Sequence, residues 1–479
     1  MAWGFLGAVA FYSGDNSKTG TKTMLVSPIQ FLFDVFNANL KKPAFIYGGI
    51  EFTYEWLVGR ITYWQSELIK KEITAGQLVA VTGDYSPDIC ALVIALISAR
   101  VVVVPFASVV GSEKKELADI ANVGCEFFFI NGECVDFQRY STIVSNPLLK
   151  LFLNQTSSGL VVFTSGSTGY PKGILHDFSK IIDKFRLKRR GLKTLTFLQL
   201  DHLGGINTLL HTLSNGGTII SVAERSPRFV CQAVQNHQIE LLPVTPSFLN
   251  LLLVSREYSN YDLSSLKVVS YGTEVMPEST LAKMREVFPG VRMQQTYGLS
   301  ELGVLRTKSR EDGSLWVKVG GEGFETKVVD NTLWIKAHSA MVGYLNAPQP
   351  FDSEGWFNTD DQVETDGDFV KIIGRKSDMI NVGGQKVFPS EVESILIQMS
   401  NVKDAVVMGE KHMLMGNIVI AKLVLEHPED PDALKTRVRT FCRERLSTYK
   451  VPMKIEIVTE QLYNARFKRV RVPLGQVRD

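Results

Sequence analysis

The sequence lacks the features that mark several classes of protein. No run of apolar residues reaches the roughly 18 that a membrane-spanning helix needs, so we expect no membrane span. Neither sign of charge dominates, because 52 Lys and Arg stand against 50 Asp and Glu, a net charge of +2. This balance argues against nucleic acid and anionic membranes as partners. The five cysteines have no CxxC spacing, which argues against a disulfide framework or structural zinc and predicts reduced thiols and a cytoplasmic protein.

The sequence also lacks internal repeats, low-complexity tracts and a basic segment before its apolar start, MAWGFLGAVAFYSG. A secretory signal needs that basic segment. We therefore expect the apolar segment to be part of the mature chain or of a poorly delimited sequence start. With 479 residues, 45% of them apolar, the chain can form a sizeable core in about three domains, or in one large and one small domain.

Apolar strand-like runs alternate with helix-length amphipathic segments over residues 77–132 and again over residues 216–272. This alternation predicts βαβ units and a mostly parallel sheet. Short alternating strands and turns follow over residues 313–375 and predict a small β-rich subdomain. The last hundred residues regain helices and strands. The sequence therefore predicts an α/β protein with parallel-rich sheets.

Glycine and hydroxyl side chains cluster in FTSGSTGYPKGI, residues 163–174, directly after the apolar run 160–163. Glycine is entropically costly, and a cluster is normally kept where the backbone turns sharply or approaches a ligand. A buried strand that ends in such a loop predicts a phosphate site, with backbone N–H groups, hydroxyls and Lys172 as donors. It is not a Walker loop, because Tyr170 and Pro171 separate Gly169 from Lys172. The alternative is an exposed Ser/Gly turn.

Two later segments carry carboxylates in similar settings. In QQTYGLSELG, residues 294–303, Glu301 follows a glycine turn and could bind Mg²⁺ beside a phosphate, although such a residue is usually a helix-start charge. In residues 355–393, Asp361 or Asp360, with Arg375, suits the hydroxyls of a nucleotide ribose. Ordinary β-turns have similar Asp and Gly spacing.

The densest basic run is DKFRLKRRGLK, residues 183–193. It predicts a solvated helix face, with a docking patch for an anionic acceptor as the alternative.

In order and spacing these motifs resemble those of the acyl-adenylate-forming superfamily, which includes acyl-CoA and aryl-CoA synthetases, amino-acid adenylation domains and firefly luciferases. The resemblance covers roughly residues 45–475. It implies a large N-terminal domain over residues 1–374 and a mobile α+β domain over residues 375–479, with a hinge near Ser377. It also implies two half-reactions: a carboxylate and ATP give acyl-AMP and pyrophosphate, and a thiol then displaces AMP.

The resemblance further implies ATP, Mg²⁺ and coenzyme A, or a carrier-protein phosphopantetheine, as cofactors. Ser300, Glu301 and Lys468 would serve the α-phosphate, with His202 beside the acid, and Glu301 and Thr168 would hold Mg²⁺. The other implied binding residues are Thr164, Ser165, Gly166, Ser167, Gly169 and Lys172 for phosphate, Tyr271, Gly272, Thr273 and Glu274 for adenine, Asp361 and Arg375 for ribose, Gln295, Tyr297 and Gly298 in the second motif, and Gly384 for the thiol step.

Some positions depart from the family's pattern. Phe467 stands before the lysine where the family usually has Gly, and the ribose motif reads Thr359-Asp360-Asp361 where Thr-Gly-Asp is usual. The hinge residue is Ser377 where Asp or Lys is common, and Tyr271 replaces the first Gly of the adenine motif.

The residue at position 202 favours one class of acid. Amino-acid adenylation domains usually have Asp where this chain has His202, so we favour an aryl or fatty acid, activated and transferred to CoA. Two alternatives stay open: a stand-alone ligase that loads a carrier protein, possibly with an amino acid, and a catalytically silent relative that binds nucleotide or acyl groups.

Overall fold

The computed structural model describes residues 29–108, 111, 113–155, 157–164, 170–222, 224–321, 323–413, 415–463 and 469. None of the helices within these ranges has the length and apolarity needed to cross a membrane. The five cysteines are free thiols. Outside the described residues lie several predicted site residues, namely Ser165, Gly166, Ser167, Thr168, Gly169 and Lys468.

Helices and strands alternate over residues 30–295. Their bounds are α1 (Gln30–Asn37), β1 (Pro43–Tyr47), β2 (Ile50–Thr53), α2 (Tyr54–Lys70), β3 (Leu78–Thr82), α3 (Pro87–Ser98), β4 (Val102–Phe106), α4 (Lys114–Ile120), β5 (Cys125–Ile130), β6 (Glu133–Arg139), α5 (Pro147–Leu153), β7 (Gly159–Thr164), β8 (Lys172–Asp177), α6 (Phe178–Ile182), β9 (Lys193–Thr196), α7 (Leu203–Leu213), β10 (Thr218–Ser221), α8 (Pro227–His237), β11 (Leu241–Val244), α9 (Pro246–Ser255), β12 (Val268–Tyr271), α10 (Glu278–Val287) and β13 (Arg292–Gln295).

The remaining described chain is mostly strand. Its bounds are β14 (Tyr297–Leu299), β15 (Gly303–Leu305), β16 (Thr307–Ser309), β17 (Trp316–Val319), β18 (Phe324–Val329), β19 (Thr332–Ala337), β20 (Gly343–Tyr344), β21 (Phe357–Asp366), β22 (Phe369–Arg375), β23 (Ile380–Val382), β24 (Gln385–Val387), α11 (Pro389–Leu396), β25 (Val402–His412), β26 (Gly416–Leu425), α12 (Pro431–Arg443) and β27 (Lys454–Ile457), with 3-10 turns at Asp183–Arg186, Glu257–Asn260, Lys376–Asp378 and Thr448–Lys450.

Two sheets with parallel centres form the large part of the molecule. In the first, the order is β20-β8-β7-β4-β3-β5-β6, and β7, β4, β3 and β5 are parallel. In the second, the order is β13-β12-β11-β9-β10-β1-β2, with an antiparallel pair only at the β1–β2 edge of the described strands. Helix α3 is buried along its whole length. Ser86 caps it by accepting the Ile89 N–H, and Pro87 at its first position has no N–H to satisfy.

Six strands within residues 307–375 form an antiparallel sheet in the order β16-β17-β22-β21-β19-β18, which agrees with the β-rich subdomain predicted for residues 313–375. The C-terminal part has its own sheet, β24-β23-β26-β25 with β27 parallel to β26, and its own hydrophobic core. It contacts the large part, since Asn250 Nδ2 donates to the Lys403 carbonyl at 3.3 Å. The predicted fold class is confirmed. Strand β22 ends at Arg375, two residues before Ser377, near which the family resemblance implies a hinge.

The basic run at residues 183–193 is not a helix face, so that prediction is wrong. Only the 3-10 turn Asp183–Arg186 is helical, and an extended segment follows it up to β9. Lys184, near the start of the run, is also not solvated as predicted, because its side chain points inward. Its Nζ donates at 2.7 Å to Asn207 Oδ1 and at 2.7 Å to the Val304 carbonyl.

Candidate functional site

The predicted phosphate loop connects two antiparallel neighbours in the first sheet. Thr164 ends β7, Lys172 begins β8, and the two residues are register partners. Asn346 forms two hydrogen bonds with the last residues of the loop. Its Oδ1 accepts the Gly173 N–H at 2.9 Å, and its Nδ2 donates to the Pro171 carbonyl at 2.8 Å. The loop thus connects two paired strands, and Pro171 and Gly173 at its exit are tied to a distant segment.

Tyr344 connects this loop to the predicted magnesium residue. The Lys172 Nζ lies 5.1 Å from the centre of the Tyr344 ring, and the Tyr344 hydroxyl donates to Glu301 Oε1 at 2.7 Å. A single carboxylate beside a lysine suits an ion that takes its other ligands from substrate phosphates and water. Within the described ranges, no group of three or more His, Cys, Asp or Glu side chains could hold a metal.

Ser300 is positioned by a buried histidine on β8. His176 is fully buried, and burial lowers its pKa to about 4, although a hydrogen bond to the Ser300 carbonyl opposes that shift. Its ring is therefore neutral. Because a carbonyl only accepts, Nε2 carries the proton and donates to the Ser300 oxygen at 2.7 Å. The sequence analysis did not identify this residue.

The predicted ribose residues lie together at the β21–β22 pair. Asp361 is buried, and its Oδ2 accepts the Tyr297 hydroxyl at 2.5 Å, while the Arg375 Nε lies 3.5 Å from its Oδ1. Burial raises the pKa of the Asp361 carboxyl, and Arg375 and Tyr297 partly oppose the shift. Burial would lower the pKa of Arg375, but Asp361 and Glu301 are among the groups that together raise it. The predicted ribose residues and the predicted magnesium residue Glu301 thus interact electrostatically through Arg375.

Asp360 explains one departure from the family's motif. Its φ is +64°, in the left-handed region where glycine is normally favoured, and aspartate tolerates that region better than most residues. Its Oδ2 accepts the Ser377 N–H at 3.0 Å. The unusual residue therefore keeps the backbone conformation that a glycine would adopt and adds a hydrogen bond to the predicted hinge.

We expect Asp360→Ala to unfold more easily than Asp360→Gly. Both variants lose the bond to Ser377, but only alanine strains the left-handed backbone, so their free energies of unfolding should differ by about 1 kcal/mol. Urea unfolding measures the difference. Asp352 has no positive φ, so at that position alanine should be the more stable of the two. Equal stability of the two Asp360 variants would contradict this account.

Tyr271, a predicted adenine residue, and Gln295, of the second motif, stand at the carboxyl ends of parallel strands β12 and β13, where α/β sheets commonly bind nucleotides. Tyr271 and Gln295 are register partners, and both are buried. Among the described residues, the Tyr271 hydroxyl and Gln295 Oε1 have no hydrogen-bond partner. Gly272 is required for packing, because a Cβ there would lie 2.4 Å from Thr296 Oγ1. Buried polar atoms without partners at this edge fit a polar ligand such as a nucleotide base.

Backbone conformation and strand pairing determine the positions of two further predicted residues, Thr273 of the adenine motif and Gly298 of the second motif. Thr273 has a φ of +72°, which turns the chain after Gly272. Gly298 lies on β14 opposite Val304. A Cβ at Gly298 would lie 2.8 Å from the Gly303 carbonyl oxygen, so the β14–β15 pair requires glycine there.

Glu274 is engaged by protein groups on both of its oxygens. Its Oε2 accepts the Ser247 hydroxyl at 2.7 Å, and its Oε1 accepts the Arg469 N–H at 2.7 Å. Arg469 is buried between two carboxylates of the C-terminal part. Its guanidinium lies 2.5 Å from Glu393 and 3.5 Å from Asp404. The residue that follows the predicted catalytic lysine is therefore fixed against both parts of the molecule.

His202 and Gly384 lie in separate elements. His202 precedes the first residue of α7, which packs against β15, and its Nε2 lies 4.0 Å from Asp201 Oδ1. Gly384 is in the β23–β24 turn, where its N–H donates to Asn381 Oδ1 at 3.0 Å. In the part of the chain described, no hydrogen bond or ion pair joins Gly384 to Glu301 or Asp361.

The structure thus brings Lys172 and Glu301 together through Tyr344, and it brings Tyr297, Asp361 and Arg375 together at the β21–β22 pair. The two groups interact electrostatically, because Glu301 is among the groups that raise the pKa of Arg375. Sequence reasoning missed four supporting residues, because each acts on a motif more than a hundred positions away or lies outside the motifs. They are His176, Tyr344, Asn346 and Arg469. For His176 and Arg469, the available signal was their position within two residues of a motif or a predicted site residue.

Comparison with known proteins gives one consistent family. The model of the AMP-binding enzyme family matches residues 153–345, and that of the AMP-binding enzyme C-terminal domain matches residues 391–467. Among curated proteins, the chain is 28% identical over 322 residues to 3-[(3aS,4S,7aS)-7a-methyl-1,5-dioxo-octahydro-1H-inden-4-yl]propanoyl:CoA ligase of Rhodococcus jostii, covering 62% of this chain and 61% of that protein. It is 27% identical over 366 residues to 2-succinylbenzoate–CoA ligase of Bacillus licheniformis, covering 70% and 74%.

A solved structure supports the fold along nearly the whole chain. The anthranilate CoA ligase AuaEII in complex with anthranoyl-AMP has a TM-score of 0.79 and 19% identity, and the alignment covers 92% of this chain and 95% of that one. The two family models together span more than half of the sequence and match the two parts of the fold. The chain therefore belongs to the AMP-binding enzymes of the acyl-adenylate-forming superfamily.

Proposed function

We propose that the protein is an ATP-dependent ligase that activates a carboxylic acid as acyl-AMP, with release of pyrophosphate, and transfers the acyl group to the thiol of coenzyme A. The observation that carries the proposal is the cluster of Lys172, Glu301, Asp361 and Arg375. The predicted phosphate, magnesium and ribose residues are spread over positions 172–375 of the sequence. Tyr344 contacts both Lys172 and Glu301, Asp361 contacts both Tyr297 and Arg375, and the charge of Glu301 acts on Arg375.

The chemistry of the cluster agrees with the first half-reaction. A carboxylate is a poor nucleophile toward the negatively charged α-phosphate of ATP, so acceleration must come from positioning and charge neutralisation. Lys172 supplies positive charge beside the phosphate loop, and Glu301 would hold Mg²⁺, which neutralises phosphate charge when bound. Asp361 would accept the ribose hydroxyls, since its carboxylate has free lone pairs beyond the Tyr297 bond. We assign aryl or fatty acids as the substrate class.

The acceptor is assigned from the relatives. The Rhodococcus and Bacillus relatives are CoA ligases by name, which favours coenzyme A over a carrier-protein phosphopantetheine. A thioester assay in which free CoA and a holo-carrier protein compete for the same acyl-AMP distinguishes between the two acceptors. A thioester formed only with the carrier would overturn the CoA assignment and leave the first half-reaction intact.

The test of the function is trapping of acyl-adenylates with hydroxylamine, with ATP, Mg²⁺ and a panel of aryl, short-chain, long-chain and amino acids. We expect hydroxamate from the aryl or fatty acids. In Asp361→Asn, the KM for ATP should rise about 10- to 100-fold, because a hydrogen bond to a charged group contributes about 1.5–3 kcal/mol.

The matched control is Asp368→Asn, an exposed carboxylate in the turn between β21 and β22 that pairs with Lys318. This variant should keep the wild-type KM. Absence of hydroxamate with every acid, together with absence of ATP binding, would refute the proposed function. Retained ATP binding without turnover would identify a silent relative.

A further inference from the structure

The turn that carries Ser300 and Glu301 is held by hydrogen bonds to all three of its carbonyl groups. Residues 300–302 form this turn, which joins β14 to β15. Each carbonyl accepts a hydrogen bond of 2.7 Å from a donor in another element or segment. The pairs are His176 Nε2 with the Ser300 carbonyl, the Met341 N–H with the Glu301 carbonyl, and the Ser339 hydroxyl with the Leu302 carbonyl. Contacts with the rest of the fold therefore fix the backbone of this turn.

The donors belong to two paired strands that also carry the end of the phosphate loop. His176 lies on β8, which begins at Lys172. Residues 339–346 include β20, which pairs with β8. The same segment contains Tyr344, which donates to the Glu301 carboxylate, and Asn346, which bonds to the loop exit. Strands β8 and β20 thus hold the turn and the phosphate loop in one arrangement.

His176 is a costly residue at its position. It is fully buried, and Ile174, on the same face of β8, belongs to the largest apolar core. Among the described residues, its Nδ1 has no hydrogen-bond partner. A buried polar atom without a partner costs free energy that an apolar side chain would avoid. The bond from Nε2 to the Ser300 carbonyl is the feature that an apolar residue could not supply.

The bond from His176 acts directly on Glu301. The Ser300 carbonyl and the Glu301 N–H belong to one planar peptide group, so holding the carbonyl fixes the plane from which Glu301 extends. The Tyr344 hydroxyl then fixes the carboxylate itself, at 2.7 Å from Oε1. Hydrogen-bonding partners that orient a metal ligand influence metal affinity almost as strongly as the ligand does.

We propose that His176 and Ser339 are positioning residues for adenylation, which hold the turn so that the Glu301 carboxylate faces the metal ion of the metal–ATP complex. The inference rests on the proposed function and deepens it. The competing explanation is that both residues only stabilise the fold. The two explanations differ in a measurable way. A structural residue affects ATP binding equally with and without metal, whereas a residue that orients Glu301 affects only metal-dependent binding.

The test measures binding without turnover, with ATP present and no acid. Mn²⁺ replaces Mg²⁺ as a paramagnetic probe, since both ions prefer octahedral oxygen ligands. Water-proton relaxation gives the Kd of the Mn²⁺–ATP complex, and titration calorimetry with EDTA gives the Kd of metal-free ATP. His176→Met fills the space without an N–H donor. It should raise the Kd of Mn²⁺–ATP about 10-fold, the lower end of the usual range, because two donors still hold the turn. The Kd of metal-free ATP should stay within about 3-fold of wild type.

Two further variants separate hydrogen bonding from packing. In His176→Gln the side-chain amide nitrogen can replace Nε2 as the donor, so the Kd of Mn²⁺–ATP should return to within about 3-fold of wild type. Ser339→Ala removes only the donor to the Leu302 carbonyl and makes no change to the strand β8. It should raise the Kd of Mn²⁺–ATP by about 3- to 10-fold, again without changing the binding of metal-free ATP.

The matched control is Tyr54→Phe. It removes a buried side-chain bond to a carbonyl with the same length, 2.7 Å to Gly217, in another part of the fold. This variant should lower the urea midpoint and leave both Kd values unchanged.

Equal rises of both Kd values in His176→Met, or a glutamine variant as weak as the methionine variant, would overturn the inference. So would a Ser339→Ala variant with the wild-type affinity for Mn²⁺–ATP, which decides the matter even where His176→Met does not fold. In each of these cases hydroxamate formation by the wild-type protein leaves the proposed function intact. A wild-type protein that binds no ATP and forms no hydroxamate would refute both.

Discussion

Replacing Lys468 with alanine should slow acyl-adenylate formation by about 10²- to 10³-fold, the loss typical of removing one preorganised charge or donor from a transition state. The family resemblance puts this lysine between the acid carboxylate and the α-phosphate, where negative charge increases as the new bond forms. Lys468 lies outside the described residues, but its neighbour Arg469 is fixed by Glu274, Glu393 and Asp404. The chain at this point is therefore anchored beside the predicted adenine residues.

The measurement that separates catalysis from folding follows the two half-reactions individually. Hydroxamate formation from acid and ATP should fall in Lys468→Ala, whereas thioester formation from synthetic acyl-AMP and CoA should stay within a few-fold of wild type, because the family resemblance assigns the lysine to the first step. Lys454→Ala is the matched control, since Lys454 is a surface lysine of the same part that pairs with Glu410. Equal losses in both half-reactions would contradict the assigned role.

Replacing Arg469 with methionine should destabilise the protein by about 3–5 kcal/mol, the cost of leaving buried carboxylates without their counter-charge. Glu393 is 1% exposed and Arg469 is 8% exposed, so water cannot take over the lost contact. Burial already raises the pKa of Asp404, and Arg469 is the main group that opposes the shift. Urea unfolding, followed by circular dichroism, measures the change.

Two comparisons make this result interpretable. Arg445→Met removes an exposed arginine that pairs with Glu444, and it should cost less than about 1 kcal/mol. Combining Arg469→Met with Glu393→Gln should recover part of the loss, since the glutamine keeps an oxygen for the Val407 N–H and removes the unpaired charge. An Arg469→Met variant as stable as the Arg445 control would show that the cluster contributes little.

The sequence predicted the features that depend on local pattern. Alternating apolar runs predicted the parallel sheets, because strand and helix periods differ and both repeat along the chain. The motif around Asp361 and Arg375 was found because its residues are close in sequence and lie on the hairpin β21–β22. The phosphate loop was found for the same reason, since Thr164 and Lys172 flank one turn.

The remaining features depend on contacts that the chain order does not reveal. Lys184 belongs to a basic run and was predicted to be solvated, but its acceptors are 23 and 120 positions away. Arg469 meets Glu274 from 195 positions away. The positive φ of Asp360 was also missed, because the sequence shows only that an aspartate replaces a glycine. These are tertiary effects that override local propensity.

The bond between the Arg469 N–H and Glu274 also has a thermodynamic consequence. It joins the C-terminal part to the large part, so any rotation that carries residues 380–457 away from α9 must break it. A hydrogen bond to a charged group contributes about 1.5–3 kcal/mol, and every 1.4 kcal/mol changes an equilibrium about tenfold. This bond alone therefore favours the observed arrangement by about one to two powers of ten. A ligand that requires another arrangement binds with an apparent affinity reduced by that same population ratio.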